Sequence, residues 1–321
     1  MGWRGTLRSL GAAARQAERD SERRRKFAAK QQMTAAAASA VASWENYTES
    51  LSHISVGAGQ PIDWKAIAAS VAPVPPTRKA TQQDAAQQIL DRYKPGFLDI
   101  FQGGSVRRRK TLEDAVRKGG DADSAKFASD ESRYKEDLAE WEDDTSTANL
   151  VLKGDIAAYK KVIQTSQEIS KDGLVGRSVR YLFADEFFHA VLAVHSTDII
   201  PKVKPKQLAS GRLSESKMPV TQSNTLYQSY VAGAAFKVAS DTFRILPPDE
   251  LFVTCVAMML NTKTGHQEET PILSVQFVRR TFAGLDLANV NPTDALANFK
   301  HAMKFKQTSG FAAVTPLKEI E

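Results

Sequence analysis

Cysteine occurs once in the 321 residues, at Cys255, so neither an intramolecular disulfide nor a cysteine-based metal site can form. The lone thiol lies in an apolar run and reads as buried and inert. A chain without disulfides suits a cytoplasmic setting. Histidine is scarce too, with five residues scattered along the chain, too dispersed for a metal cluster. No Gly-x-Ser-x-Gly is present, which removes the nucleophile elbow of one hydrolase class. Gly103-Gly104 precedes Ser105 and an arginine run without the lysine of a phosphate-cradling loop. No run approaches the roughly 18 apolar residues that a membrane-spanning helix needs. No cofactor is implied.

Proline is missing from Trp3 to about Ile54, and glycine is missing from that stretch after Gly11. Ala, Arg, Glu, Lys and Gln fill it instead, all good helix formers. Nine of the 43 basic and three of the 37 acidic residues lie in 1–30, so the remaining 34 of each sign balance. The net charge of +6 therefore belongs to one N-terminal segment. On a helical wheel Arg4, Arg8, Arg15, Arg19, Arg23, Lys26 and Lys30 fall within an arc of roughly 100°, with Glu22 intruding. Trp3, Leu7 and Leu10 give this helix a narrow apolar face, weaker than a membrane-surface helix requires. Val41, Trp44, Leu51 and Ile54 form a stronger one that would dock onto the body.

Arg24-Arg25-Lys26-Phe27 before Ala-rich Thr34–Ser43 loosely mimics a twin-arginine export signal, but Gln31 and Gln32 interrupt it and alanine is barely hydrophobic. Met1-Gly2-Trp3-Arg4-Gly5-Thr6 fits the short myristoylation pattern.

The expected organisation is a long basic amphipathic helix over 1–56, a linker with short helices over 57–104, a helical hairpin over 105–172, an α+β domain over 173–306 and a flexible tail over 307–321. Phe127, Tyr134, Leu138 and Trp141 supply one apolar face and Leu152, Ile156, Tyr159 and Ile163 the other. A turn at Asp143–Thr147 is expected to join them. Arg107–Lys110 reads as a solvated helix face. Strands are expected at Val179–Phe183 and Ala190–His195, followed by a basic, irregular loop from Ile200 to Pro219. A helix is expected over Leu226–Leu246. The longest apolar block follows. Leu251–Leu260 is apolar on both faces, as an inner strand would be. Ile272–Val278 alternates Leu273, Val275 and Phe277 with Ser274 and Gln276, which predicts one wet face. Asn291–Asp294 would cap a last helix through Phe305. The fold class is α+β, a long N-terminal helix and helical hairpin region followed by a small antiparallel sheet packed with helices.

The best enzyme candidate is the turn Thr264-Gly265-His266-Gln267-Glu268-Glu269. His266 with Glu268 and Glu269 would serve a metal-dependent hydrolase, although polar residues also belong in a solvated hairpin loop. Asp185, Glu186 and His189 form a second group of this kind. Pro248-Asp249-Glu250 precedes a strand as in some nuclease sites, but Ser274-Val275-Gln276-Phe277 lacks the acidic and lysine residues such a site needs.

Several pieces together resemble an uncharacterised bacterial protein family. They are Met1-Gly2-Trp3-Arg4-Gly5, Glu45-Asn46-Tyr47 with Pro61-Ile62-Asp63-Trp64, Gly154-Asp155 with Tyr159, and Thr264-Gly265-His266 through Pro271-Ile272-Leu273-Ser274-Val275. Asn291-Pro292-Thr293-Asp294-Ala295 with Asn298-Phe299 and His301 completes the set. The C-terminal part also resembles a module found in proteins labelled restriction-endonuclease-like. That resemblance implies a nucleic-acid-linked role, with phage defence as its setting, and carries over no catalytic residue.

The favoured function is a non-enzymatic binding or scaffold protein. Residues 1–30 would contact nucleic acid or an acidic protein surface, and the long helices a protein partner or a second copy. Without interleaved aromatics for base stacking, recognition would be sequence-independent. A metal-dependent hydrolase and a structural oligomer are the alternatives.

Overall fold

The structure, a computed structural model, describes residues 3–53, 60–94, 104–166, 173, 175–184 and 187–319. The chain forms two compact units, one of residues 63–158 and one combining 1–62 with 159–321.

In the smaller unit, helices α2 (Trp64–Ala68) and α3 (Thr81–Arg92) pack on α4 (Gly104–Leu152). The first N–H groups of α3 point at α4. Asp123 accepts from the backbone N–H of Gln82 at 2.9 Å and of Gln83 at 2.9 Å, satisfying donors that Ala80 at the N-cap cannot. Gly119 permits the approach, since a Cβ there would stand 2.9 Å from the Gln82 backbone. Trp141 donates its indole N–H to Ser70 Oγ at 3.0 Å.

The expected turn at Asp143–Thr147 does not form, because α4 runs through it to Leu152. Polar residues alone do not stop a helix, and the Thr145 hydroxyl bonds back to the Trp141 carbonyl at 2.7 Å. Termination waits for Gly154, at φ 76°. Gly154 donates to the Val151 carbonyl and Asp155 to that of Leu150, a glycine-dependent helix end. Asp155 Oδ1 then accepts from Ala158 N–H at 2.8 Å and starts α5 (Ile156–Thr165). The segment 105–172 is thus one 49-residue helix and one of 10 residues rather than a hairpin of two comparable arms.

The larger unit carries α1 (Trp3–Ser52) and an α+β layer. Its strands are β1 (Ser178–Ala184), β2 (Phe187–Ala193), β5 (Glu250–Leu260), β6 (Gln267–Val278), β7 (Lys300–Lys306) and β8 (Gly310–Ala312). They lie in the spatial order β1-β2-β5-β6-β7-β8. Neighbours are antiparallel except β2 and β5, which are parallel, so the sheet is mixed rather than wholly antiparallel. A parallel pair needs a crossover. This one contains a separate two-stranded ribbon, β3 (Val203–Gln207) with β4 (Leu213–Lys217), and then helix α6 (Val220–Ile245). The region expected to be an irregular loop is therefore a paired ribbon.

The core sits between α6 and the sheet. Every residue of α6 from Tyr230 to Phe236 is buried. Phe236 packs against Phe277 at 5.0 Å between ring centroids and against Phe282 and Phe299 at 5.9 Å. Tyr181 on β1 meets Thr242 of α6 at 3.1 Å, and Cys255 faces the Val231 carbonyl. Burial pushes the Cys255 thiol up, so it stays protonated and inert.

As expected, β5 is an inner strand, held between β2 and β6. The wet face predicted for β6 at Ser274 and Gln276 is wet only in part, Gln276 being half-buried and bonded to exposed Glu250 at 2.7 Å. Ser274 is fully buried, because the chain after β8 returns over this face. Val314 N–H bonds to the Pro271 carbonyl and Leu317 N–H to Ser274 Oγ. The segment taken as a flexible tail supplies β8 and these contacts. The last expected helix is also short. After α7 (Arg279–Ala283), α8 spans only Pro292–Ala295, a 3-10 turn follows, and β7 begins at Lys300. Pairing of Leu273 to Gln276 with Met303 to Lys300 prevails over local helix propensity there.

Arg279 closes the C-terminal end of α6. Its guanidinium donates to the carbonyls of Pro248 (2.9 Å), Phe243 (3.0 Å) and Leu246, and its Cζ lies 4.6 Å from the centre of the Phe243 ring. Only the planar, five-donor fork serves three carbonyls while stacking on a ring. Arg279→Lys should lower unfolding stability by about 2–3 kcal/mol in urea titration, whereas the same change at exposed Arg280 should leave it unaltered.

Candidate nucleic-acid interface

Helix α1 has two parts with different surroundings. Over its second half Ala37 and Leu51 are buried, and Thr34, Val41, Trp44 and Thr48 are half-buried at steps of three, four and seven. This face packs along α6, β3 and β4. Polar bonds lock it, with Gln207 Nε2 donating to the Thr34 carbonyl at 2.8 Å and the Tyr47 hydroxyl to that of Ile199 at 2.8 Å. Val41, Trp44 and Leu51 are the anchor foreseen from the sequence, and Ile54 lies outside the described residues.

The first part stands free of the body. From residue 18 to residue 33 every side chain but Asp20 is exposed, about 24 Å of helix. Arg19, Arg23, Lys26 and Lys30 occupy one face here, all exposed. Lys26 is bridged to Glu22 at 2.6 Å, as expected of the intruding acid, in an exposed pair that salt screens. Arg4, Arg8 and Arg15 belong to the same helix, and their side chains lie outside the described ones. Arg24 and Arg25, off the expected arc, are exposed as well. Among the described residues nothing packs there, so the cationic surface is wider than one stripe. Exposure carries that signal, and a helical wheel does not contain it.

The hydrolase candidate is not assembled. The turn folds about Asn261, whose carbonyl accepts from Gly265 N–H at 2.7 Å and whose Oδ1 accepts from Lys263 N–H at 2.9 Å. Gly265 takes the positive φ, 73°, that the turn requires. Both Glu268 oxygens are occupied, by Asn261 Nδ2 and Thr264 Oγ1 at 2.9 Å each, which hold its carboxyl below the usual range. Glu269, next along β6, turns instead to Arg180 at 3.3 Å and Arg177 at 3.9 Å. Adjacent strand residues point to opposite faces, so the two carboxylates diverge. His266 is exposed, and its backbone takes part in the turn, its carbonyl accepting from Asn261 N–H at 2.9 Å and its N–H donating to Thr264 Oγ1 at 3.4 Å. Among the described residues no three His, Cys, Asp or Glu side chains converge as metal ligands. Asp185 and Glu186 lie outside the described residues.

The described part of the chain does contain one buried polar line that sequence reasoning missed. His189 Nε2 meets Thr254 Oγ1 at 2.8 Å, Thr254 meets Ser274 Oγ at 2.8 Å, and Ser274 accepts from Leu317 N–H at 3.1 Å. It crosses β2, β5 and β6, and all three side chains are fully buried. Burial lowers His189 to about 4, opposed by a hydrogen bond with the Glu319 backbone. The line is sealed by the returning chain, so it braces the sheet rather than presenting a nucleophile. A cleft of about 720 Å³ between the end of α1 and the start of α6 is lined by Trp44, Glu49, Thr225 and Gln307 among others, and includes none of the residues of this polar line.

Comparison with protein-family profiles, with curated proteins and with solved structures gave no match in any of the three. No helix among the described residues is long and apolar enough to cross a membrane.

His189 should impose a pH dependence. The unfolded state takes up its proton near pH 6.5 and the native state only near pH 4, so stability falls as pH drops through that window. The loss should approach about 3 kcal/mol, measured as the urea stability difference between pH 7 and pH 4.5 and reduced in His189→Gln. An equal pH dependence in the variant would refute the assignment. By contrast His266→Ala should change stability by less than about 0.5 kcal/mol, and should leave zinc retention, read by atomic absorption, where it is in the unaltered chain.

Proposed function

We propose that this is a non-enzymatic binding protein whose N-terminal helix contacts an anionic partner, nucleic acid, without reading its sequence. The observation that carries the proposal is the exposed stretch of α1 from residue 18 to residue 33. A helix held on the body by its second half presents the cations between residues 18 and 33 to solvent. Such a rod has no packing reason to be there, whereas a phosphate backbone offers one charge per roughly 1.7 Å of duplex axis to a row of cations. Arg19 to Lys30 covers about 16 Å of that row. The remainder of the chain is charge-balanced, so attraction would be local to the segment rather than a property of the whole surface.

On the same grounds we take the chain to be cytoplasmic and, from the resemblance noted in its sequence, part of a nucleic-acid-processing, defence-related complex. Oligomerisation through α1 is the second reading, favoured by one observation: Phe27 on the free stretch is 64% exposed. A second copy or a protein partner would cover it.

The test compares the full chain with a quadruple variant, Arg19→Ala, Arg23→Ala, Lys26→Ala and Lys30→Ala, on a random-sequence duplex across a salt series. Binding by the full chain should weaken steeply with salt, and the variant should lose up to about 4 from the slope of log K against log salt. Absence of binding by the full chain at low salt sinks the proposal. A mass that doubles with concentration in light scattering would then support the oligomer.

A further inference from the structure

The β3–β4 ribbon holds five cations between Lys202 and Lys217 (Lys202, Lys204, Lys206, Arg212, Lys217) against the single acid Glu215. Two of them have local partners. Lys202 pairs with Asp198 at 3.0 Å, and Lys204 lies over the Trp44 ring of α1 at 5.5 Å. Lys206, Arg212 and Lys217 are exposed and have no carboxylate partner among the described residues. The ribbon is a separate two-stranded sheet and belongs to neither edge of the main one.

Its position gives that charge a use. The tip of the ribbon is fastened to α1 at Thr34. Gln207 bonds to the Thr34 carbonyl at 2.8 Å, and Gly211, at φ 81°, packs directly on the Thr34 side chain. Lys206 and Arg212 each adjoin one of these anchor residues. Thr34 in turn is one helical turn, about 6 Å, beyond Lys30. The exposed cations of the ribbon tip therefore begin where the cationic face of α1 ends, on a second element that is fastened to it.

We propose that the ribbon tip and the free part of α1 form one continuous phosphate-binding surface, and that its ligand is a double-stranded nucleic acid. The inference rests on α1 contacting phosphate. Cations on two elements fastened to each other suit the two backbones of a duplex, and a helix and a two-stranded ribbon are the shapes that a major groove admits. A single strand would call for aromatic platforms. Among the described residues of the ribbon and of α1 from 18 to 33, Phe27 is the one exposed aromatic, and the Trp44 ring further along α1 is already covered by Lys204.

The experiment uses the full chain with a 20-base-pair duplex and a single strand of the same sequence. Three variants join it: Lys206→Ser with Arg212→Ser at the ribbon tip, the quadruple α1 variant, and Lys263→Ser with Lys300→Ser as a control that removes equal charge elsewhere. All altered residues are exposed, and circular dichroism checks folding. The ribbon variant should lose about 2 from the salt slope on the duplex, the control should match the unaltered chain, and the single strand should bind at least tenfold more weakly. If the ribbon variant matches the control while the α1 variant loses binding, the ribbon has no role and the α1 contact alone survives. Equal affinity for the single strand overturns the duplex assignment. If the full chain binds neither, the α1 contact itself fails and the ribbon inference falls with it.

Discussion

A helix with buried residues on nearly every side persists in water only if neighbours cover each of those sides, and α6 is such a helix. One side is filled by the aromatic cluster around Phe236 from β6, α7 and the segment before β7. Its C-terminal carbonyls, which would otherwise be unsatisfied, are taken by Arg279. Another part is covered by the second half of α1. That last contact connects the core to the candidate interface, because burying the anchor face of α1 fixes the helix that carries the exposed cations between residues 18 and 33. A weakened α6 would loosen the candidate interface without touching one of its arginines.

The parallel pairing of β2 with β5 works in the same direction. It requires a crossover, and the chain uses the crossover to carry the β3–β4 ribbon to α1 before α6 returns to the sheet. The ribbon adds little to the core, since Val203, Leu208 and Leu213 remain substantially exposed. What it does add is a set of lysines and an arginine beside a helix already rich in them. Over an ionic atmosphere with a Debye length of about 8 Å, cations on adjoining elements act together while the balanced remainder of the chain is screened.

The far face of the sheet illustrates a different economy. Placing a histidine, a threonine and a serine inside a sheet costs desolvation unless each finds a partner. Here they are each other's partners across three strands, with the returning chain supplying the donor at the end. The same arrangement withholds the histidine from chemistry. It is sealed and held neutral, whereas a general base needs access to a substrate proton.

Periodicity made α1 readable in advance, including Val41, Trp44 and Leu51, which anchor it. A run without proline or late glycine has few alternatives to helix, and Val41, Trp44 and Leu51 share a face wherever that helix lies. The inner strand β5 was equally legible, because seven successive buried positions can hardly be anything but central. Other features depend on residues remote in sequence. Ser274 is at an alternating polar position that looks solvated until the chain forty residues later covers it. Asp143–Thr147 carries turn-forming residues, yet one helix passes through because termination is governed by Gly154. His266, Glu268 and Glu269 are neighbours in sequence, and strand alternation together with competing partners separates them. Local propensity sets which segments are helix or strand and where charge accumulates. Which polar residues end up in the dark, and that a basic ribbon adjoins a basic helix, follows from long-range pairing, where burial and hydrogen-bond satisfaction outweigh anything a short window of sequence contains.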